Sequence, residues 1–153
     1  MKYYIAYGSN MSVEQMAGRC PDAELLGTAV LDGWRLAFKG YATIEKKEGY
    51  RTPVLVWRIS ERDEESLDRY EGFPSLYFKE QIPVRIDAME GFSAGIEGMA
   101  YIMDPRRMES PPSRYYHTVL EDAYRVFAFD MGILERALRE SEEAGHGRKE
   151  AGE

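Results

Sequence analysis

Glu71 lies in the run Leu67-Asp68-Arg69-Tyr70-Glu71-Gly72-Phe73-Pro74, where a helical pattern meets a glycine and then a proline. The carbonyls at a helix C-terminus disfavour a carboxylate, and an exposed last turn more often carries Lys or Arg. A carboxylate at that end, with Tyr70, Phe73 and Tyr77 near it in sequence, is expected to have a raised pKa. Raised into the neutral range, it becomes a candidate general acid/base. A plain surface glutamate at a helix end has the same local signature, and the local sequence leaves both readings open.

A second group with chemical potential is Tyr7-Gly8-Ser9-Asn10, which follows the strand-like run Tyr3-Tyr4-Ile5-Ala6 and precedes a helix start at Ser12. Gly8 lets the backbone approach another group with no side chain in the way. A strand that opens into such a turn can aim several N–H donors into one hollow, a seat for a carboxylate or an oxyanion. Further along, Pro111-Pro112-Ser113 leads into a helix with Tyr116 in its first turn. N-capping accounts for Ser113 in full, and Tyr116 fits the helix's apolar face as readily as a site. A nucleophilic reading pairs Ser9 with His117 as base, but no Gly-x-Ser-x-Gly elbow supports it.

Local elements must bring these groups together. Residues 2–7 read as a strand, and Ser12-Val13-Glu14-Gln15 has the form of a capping box for a helix to about Arg19. Residues 24–31 and 34–39 read as strands joined by a hairpin turn at Asp32-Gly33. The polar stretch 40–51 reads as a loop, and residues 53–59 as a strand covered on both faces. Ser60 with Asp63 predicts a capped helix over 61–70, with Leu67 and Tyr70 facing inward and Gly72 as its stop.

Residues 77–87 and 94–103 read as strands around a turn at Glu90-Gly91, with Pro83 marking an edge or a bulge. Tyr116, Val119, Leu120, Ala123, Val126 and Phe127 form one face of a helix over 113–130, broken at Met131-Gly132. A last helix is expected over 133–143. The six or seven strands mostly follow one another, which predicts an α+β fold whose sheet curls or closes. One domain is expected over 1–143, with a Gly- and charge-rich, disordered tail over 144–153.

Composition narrows the chemistry. The net charge of −7 argues against a nucleic-acid partner and an anionic membrane surface. No apolar run reaches the length of a membrane span, and the apolar stretch before Gly8 is too short for a secretory h-region. Cys20 is the only cysteine, so a reducing cytoplasm is the simpler expectation. One cysteine and two distant histidines, His117 and His146, make no zinc constellation. Nothing in the chain has heptad spacing, so the oligomeric state is not readable.

Together, Tyr7-Gly8-Ser9-Asn10, Val56-Trp57, Leu67-Asp68-x-Tyr70-Glu71-Gly72 with Tyr77, and Pro112-Ser113-x-x-Tyr116 form an ordered set. Over about residues 3–125 this resembles the γ-glutamylcyclotransferase-like family, which includes γ-glutamylamine cyclotransferases and plant avirulence-induced proteins. The resemblance implies a small α+β fold around a closed or nearly closed mixed β-barrel flanked by a few helices, with a cavity at one end. It implies that Glu71 is the general acid/base, that Tyr7, Gly8, Ser9 and Asn10 hold a glutamyl moiety, and that Tyr77 and Tyr116 line the cavity. It further implies release of 5-oxoproline from a small-molecule γ-glutamyl substrate without metal or cofactor. The alternative is a non-catalytic binder of γ-glutamyl or 5-oxoproline-like molecules on the same fold. The leaving amine is not readable.

Overall fold

The computed structural model describes residues 1–88 and 93–150. Five strands close a barrel in the order β1-β3-β2-β4-β5. They are β1 (Lys2–Ala6), β2 (Glu24–Lys39), β3 (Tyr41–Ile59), β4 (Tyr77–Ala88) and β5 (Ser93–Met103). The barrel is mixed: β1 meets β5 in parallel, at Tyr4 opposite Met99, and the other pairings are antiparallel. Four helices flank it: α1 (Val13–Arg19), α2 (Glu61–Glu71), α3 (Arg114–Val126) and α4 (Met131–Glu150). This is the closed α+β barrel that the family resemblance implies, and the α+β sheet that curls or closes expected from the order of the elements. Among the described residues, no helix is long and apolar enough to cross a membrane.

The parallel seam depends on a missing side chain. A Cβ on Gly98 would come within 2.7 Å of Cγ1 of Ile5, which is fully buried on β1. Glycine lets the two backbones close there. On β3, every residue from Thr52 to Trp57 is buried, as a strand covered on both faces requires. Pro83 lies on the part of β4 that pairs with β5 alone, so its missing N–H breaks no ladder with β2.

The stretch 40–51 is not a loop but most of the outer half of β3, paired with β2 from Lys39 opposite Tyr41 to Trp34 opposite Lys46. Its charges are the solvated face of a long hairpin; Arg35 meets Glu45 at 3.3 Å, and the Lys46 ammonium lies 5.6 Å from the Trp34 ring centroid. The hairpin therefore turns at Gly40 (φ 81°), not at Asp32-Gly33. Gly33 (φ 81°) is a bulge within a continuous β2, where the register jumps between Asp32 and Trp34. The αL-prone glycine signals a bulge as readily as a turn, and only the partner strand tells them apart.

Helix α3 ends at Val126, not near 130. Ala128 adopts φ 56°, and the Phe129 N–H returns to the Tyr124 carbonyl. Met131-Gly132 begins α4 rather than breaking α3, because Asp130 accepts the Gly132 N–H on its side chain and the Ile133 N–H on its carbonyl. Val126 is exposed and Tyr124 takes the buried position, so the inner face of α3 is Leu120, Ala123 and Tyr124. Helix α4 continues over 144–150, where the sequence suggests a disordered tail. It is held to the barrel by Ile133, Leu134 and Ala137 and by an Arg35–Glu140 ion pair at 3.3 Å. The turn expected at Glu90-Gly91 lies outside the described residues.

Candidate active site

The barrel presents a cavity of about 230 Å³ between β1, the turn after it, the end of α2 and the start of α3. All seven sequence-derived site residues line it: Tyr7, Gly8, Ser9, Asn10, Glu71, Tyr77 and Tyr116.

Glu71 and Tyr116 are placed by local devices already legible in the sequence. Ser60 accepts the Asp63 N–H at 3.1 Å, and Asp63 accepts the Ser60 N–H at 3.2 Å, completing the capping box that starts α2. Eleven residues later α2 stops at Glu71, because Gly72 takes the αL conformation (φ 68°, ψ 39°) and the Phe73 N–H returns to the Asp68 carbonyl. On α3, Ser113 Oγ accepts the Tyr116 N–H at 3.1 Å and so sets Tyr116 in the first turn.

Residues Ser9–Met11 form a single 3-10 turn that follows β1 and ends where Ser12 caps α1. A Cβ on Gly8 would stand 2.8 Å from the Tyr116 hydroxyl, so only glycine lets β1 and α3 meet there without displacement. That hydroxyl accepts the Ala42 N–H at 3.2 Å, and Tyr77 donates to the Ala42 carbonyl at 2.8 Å. Tyr7 donates to the Tyr101 carbonyl. Burial raises the pKa of Tyr4, Tyr7, Tyr77 and Tyr116, so these hydroxyls stay protonated.

Asn10 is held at both side-chain polar atoms and at its carbonyl. Its side-chain oxygen accepts from Arg19, and its carbonyl accepts from the Trp57 indole at 3.2 Å. Its amide nitrogen donates to Tyr4 Oη at 2.8 Å and reaches Glu71 Oε1 at 3.5 Å. Among the described residues, Glu71 is the only carboxylate lining the cavity. Burial pushes its pKa up to about 7, and the nearby Arg19 guanidinium works against that rise. A carboxylate poised there can take a proton and give it back near neutral pH.

The Ser9–His117 pair is not formed. Ser9 Oγ lies 2.8 Å from the Tyr70 hydroxyl, whereas His117 Nδ1 faces Glu121 at 3.4 Å and its ring packs by Phe38. Among the described residues, no three His, Cys, Asp or Glu side chains group in a way that could hold a metal ion.

Several cavity residues carry no clear local signal. Tyr4 and Tyr101 read as ordinary strand residues, and Tyr41 falls in the stretch that looks like a loop. Tyr70 does not face the core as a helical stripe suggests; it is 44% exposed and forms part of the cavity's edge. Its place next to Glu71 was the available clue.

Comparison with known proteins bears on the family and the fold. Residues 4–122 match the family model described as "Gamma-glutamyl cyclotransferase, AIG2-like". The chain is 30% identical over 129 residues to the gamma-glutamylcyclotransferase of Mus musculus, a match covering 76% of this chain and 66% of that protein. A solved gamma-glutamyl cyclotransferase superposes with a TM-score of 0.72 at 27% identity, covering 89% of this chain and 85% of the other. YkqA from Bacillus subtilis shares the fold, with a TM-score of 0.68 at 24% identity over 92% of this chain and 54% of the other.

Proposed function

The chain belongs to the gamma-glutamyl cyclotransferase, AIG2-like family, and from that premise we propose that it cyclises a γ-glutamyl compound to 5-oxoproline and releases an amine. In such a substrate the α-amine and the γ-carbonyl are on one short chain. Attack of the amine on that carbonyl forms the C–N bond of a five-membered ring and breaks the bond to the leaving nitrogen. Reactants held in the near-attack geometry gain much of the rate from orientation alone. A cavity below the roughly 300–1,000 Å³ usual for drug-sized ligands suits a glutamyl group with the leaving amine directed outward.

The observation that carries the proposal is Glu71, the one cavity carboxylate among the described residues, with a pKa near 7 and facing the turn at residues 8–10. The α-amine of the substrate is mostly ammonium at pH 7 and cannot attack. Glu71 takes one proton from it, the amine adds to the carbonyl, Glu71 gives that proton to the departing nitrogen, and the ring nitrogen's remaining extra proton leaves with the released amine as its ammonium. The protonated hydroxyls of Tyr4 and Tyr116, which accept from Asn10 and Ala42, and backbone N–H groups around Gly8 and Ser9 supply donors for the substrate carboxylate or for the carbonyl oxygen as it gains charge. No covalent enzyme intermediate is formed, so Ser9 acts as a binding residue.

The test is 5-oxoproline release from a panel of γ-glutamyl amines, amino acids and isopeptides. Turnover in wild type that is lost in Glu71→Gln supports the reading. Binding of 5-oxoproline without turnover of any panel member, or full activity in Glu71→Gln, would sink it.

A further inference from the structure

Arg19, the last residue of α1, does not line the cavity, yet it touches two of the elements that build it, the turn after β1 and the end of α2. One terminal nitrogen donates to the Asn10 side-chain oxygen and the other to Gln15 Oε1 at 3.2 Å. The central carbon of the same guanidinium lies over the Tyr70 ring, 3.5 Å from its centroid. Tyr70 in turn places its hydroxyl 2.8 Å from Ser9 Oγ, and it immediately precedes Glu71.

An arginine can only donate hydrogen bonds. Facing Arg19, Asn10 must present its oxygen there, which turns its NH₂ toward Tyr4 and Glu71. The planar group can meet the amide edge-on and the aromatic ring face-on at once, which a lysine ammonium cannot do. We infer that Arg19 is a positioning residue of this site, whose guanidinium sets the orientation of the Asn10 amide and seats Tyr70 against Ser9, so that the turn and the carboxylate at the end of α2 are held as one unit.

A second consequence is electrostatic. The other ionisable groups acting around Glu71 include Tyr4, Tyr7, Tyr77 and Tyr116, all kept neutral by burial, and Arg19 is the charge that opposes the rise of its pKa. The catalytic meaning of this inference rests on the cyclotransferase reading; the positioning itself does not.

The experiment compares wild type, Arg19→Met and Arg19→Lys. It follows the Glu71 carboxyl by carbon-13 NMR through a pH titration, assigned with Glu71→Gln, and measures kcat and KM for 5-oxoproline release. In Arg19→Met, Glu71 is expected to titrate at higher pH than in wild type, and kcat to fall roughly tenfold to a hundredfold, the scale of a small misplacement of reacting groups. Arg19→Lys is expected to keep the titration near wild type while kcat stays lowered, because the charge remains and the planar fork is lost.

An Arg19→Met protein with unchanged titration and unchanged kcat would overturn the inference. If Arg19→Met loses its cooperative thermal transition, Arg19→Lys decides: wild-type kcat overturns the role, and a lowered kcat with an unshifted titration upholds it. If wild type turns over no γ-glutamyl substrate, the cyclotransferase reading falls, and the NMR titration alone still tests Arg19.

Discussion

The amide nitrogen of Asn10 stands 3.5 Å from Oε1 of Glu71, across 61 residues of chain. One belongs to the turn that ends β1, the other to the last turn of α2. The distance is at the edge of a hydrogen bond, so the carboxylate is steadied but keeps lone pairs for a substrate proton. Burial, rather than a strong partner, therefore governs when Glu71 ionises.

That balance predicts the pH profile. With a pKa of about 7, Glu71 is protonated and unable to act as base below that pH. The kcat/KM for 5-oxoproline release is expected to rise with pH through a midpoint near 7, and Glu71→Gln to lower it by roughly 10²–10⁴-fold, the usual worth of a general acid/base. A Glu71→Gln protein with the wild-type profile would assign the proton transfer elsewhere.

The same carboxylate has a cost in stability. Its pKa is raised from 4.5 to about 7 on folding, so between those values the folded state binds more protons than the unfolded one. The group's contribution to stability is greatest below pH 4.5 and is lost as pH rises toward 7. Glu71→Gln cannot ionise and is expected to be more stable than wild type at pH 8, by about 1–3 kcal/mol after allowing for partial solvent contact. The gain should vanish near pH 4. Thermal unfolding of both proteins at the two pH values measures the difference, and equal Tm offsets at pH 4 and 8 would contradict it.

Gly8 and Tyr116 are expected to be coupled. A Cβ at Gly8 falls 2.8 Å from the Tyr116 hydroxyl, which is tied to the Ala42 N–H. Gly8→Ala should destabilise the protein by about 1–3 kcal/mol, the usual range for overpacking. Tyr116→Phe removes the obstructing oxygen, so the double variant should lose less than the sum of the two single variants. Urea unfolding of the four proteins gives the coupling energy; strict additivity would mean that the clash is relieved some other way.

Barrel closure is expected to fail at one position before others. An added methyl at Gly98 meets Ile5 at 2.7 Å on the parallel seam. Gly98→Ala should cost about 1–3 kcal/mol and lower Tm, and Ile5→Ala in that background should recover part of it despite emptying core volume. No recovery would show that the glycine serves the strand's backbone rather than the space beside Ile5.

Much of the site was readable because its devices are local. Ser60 with Asp63 starts α2, Gly72 ends it at Glu71, Ser12 and Ser113 cap α1 and α3, and Gly8 marks a close approach. Each is a short-range match between a side chain and the backbone a few residues away, and such matches survive in a bare sequence. The long hairpin of β2 and β3 was not readable. Its outer half is polar and its glycines bulge or turn depending on a partner strand that only the fold supplies.

The sequence by itself determined which residues can do chemistry: a carboxylate at a helix end, a glycine turn with donors and a supply of tyrosines. Only the tertiary structure decided how they act on one another. It partly buried Glu71, set Asn10 beside it, and brought Tyr4, Tyr70, Tyr101 and Arg19 around the same space. The reason is physical. Desolvation, a guanidinium stacked on a ring and an amide turned by its neighbour are properties of distances between residues far apart in the chain, and those distances exist only once the barrel has closed.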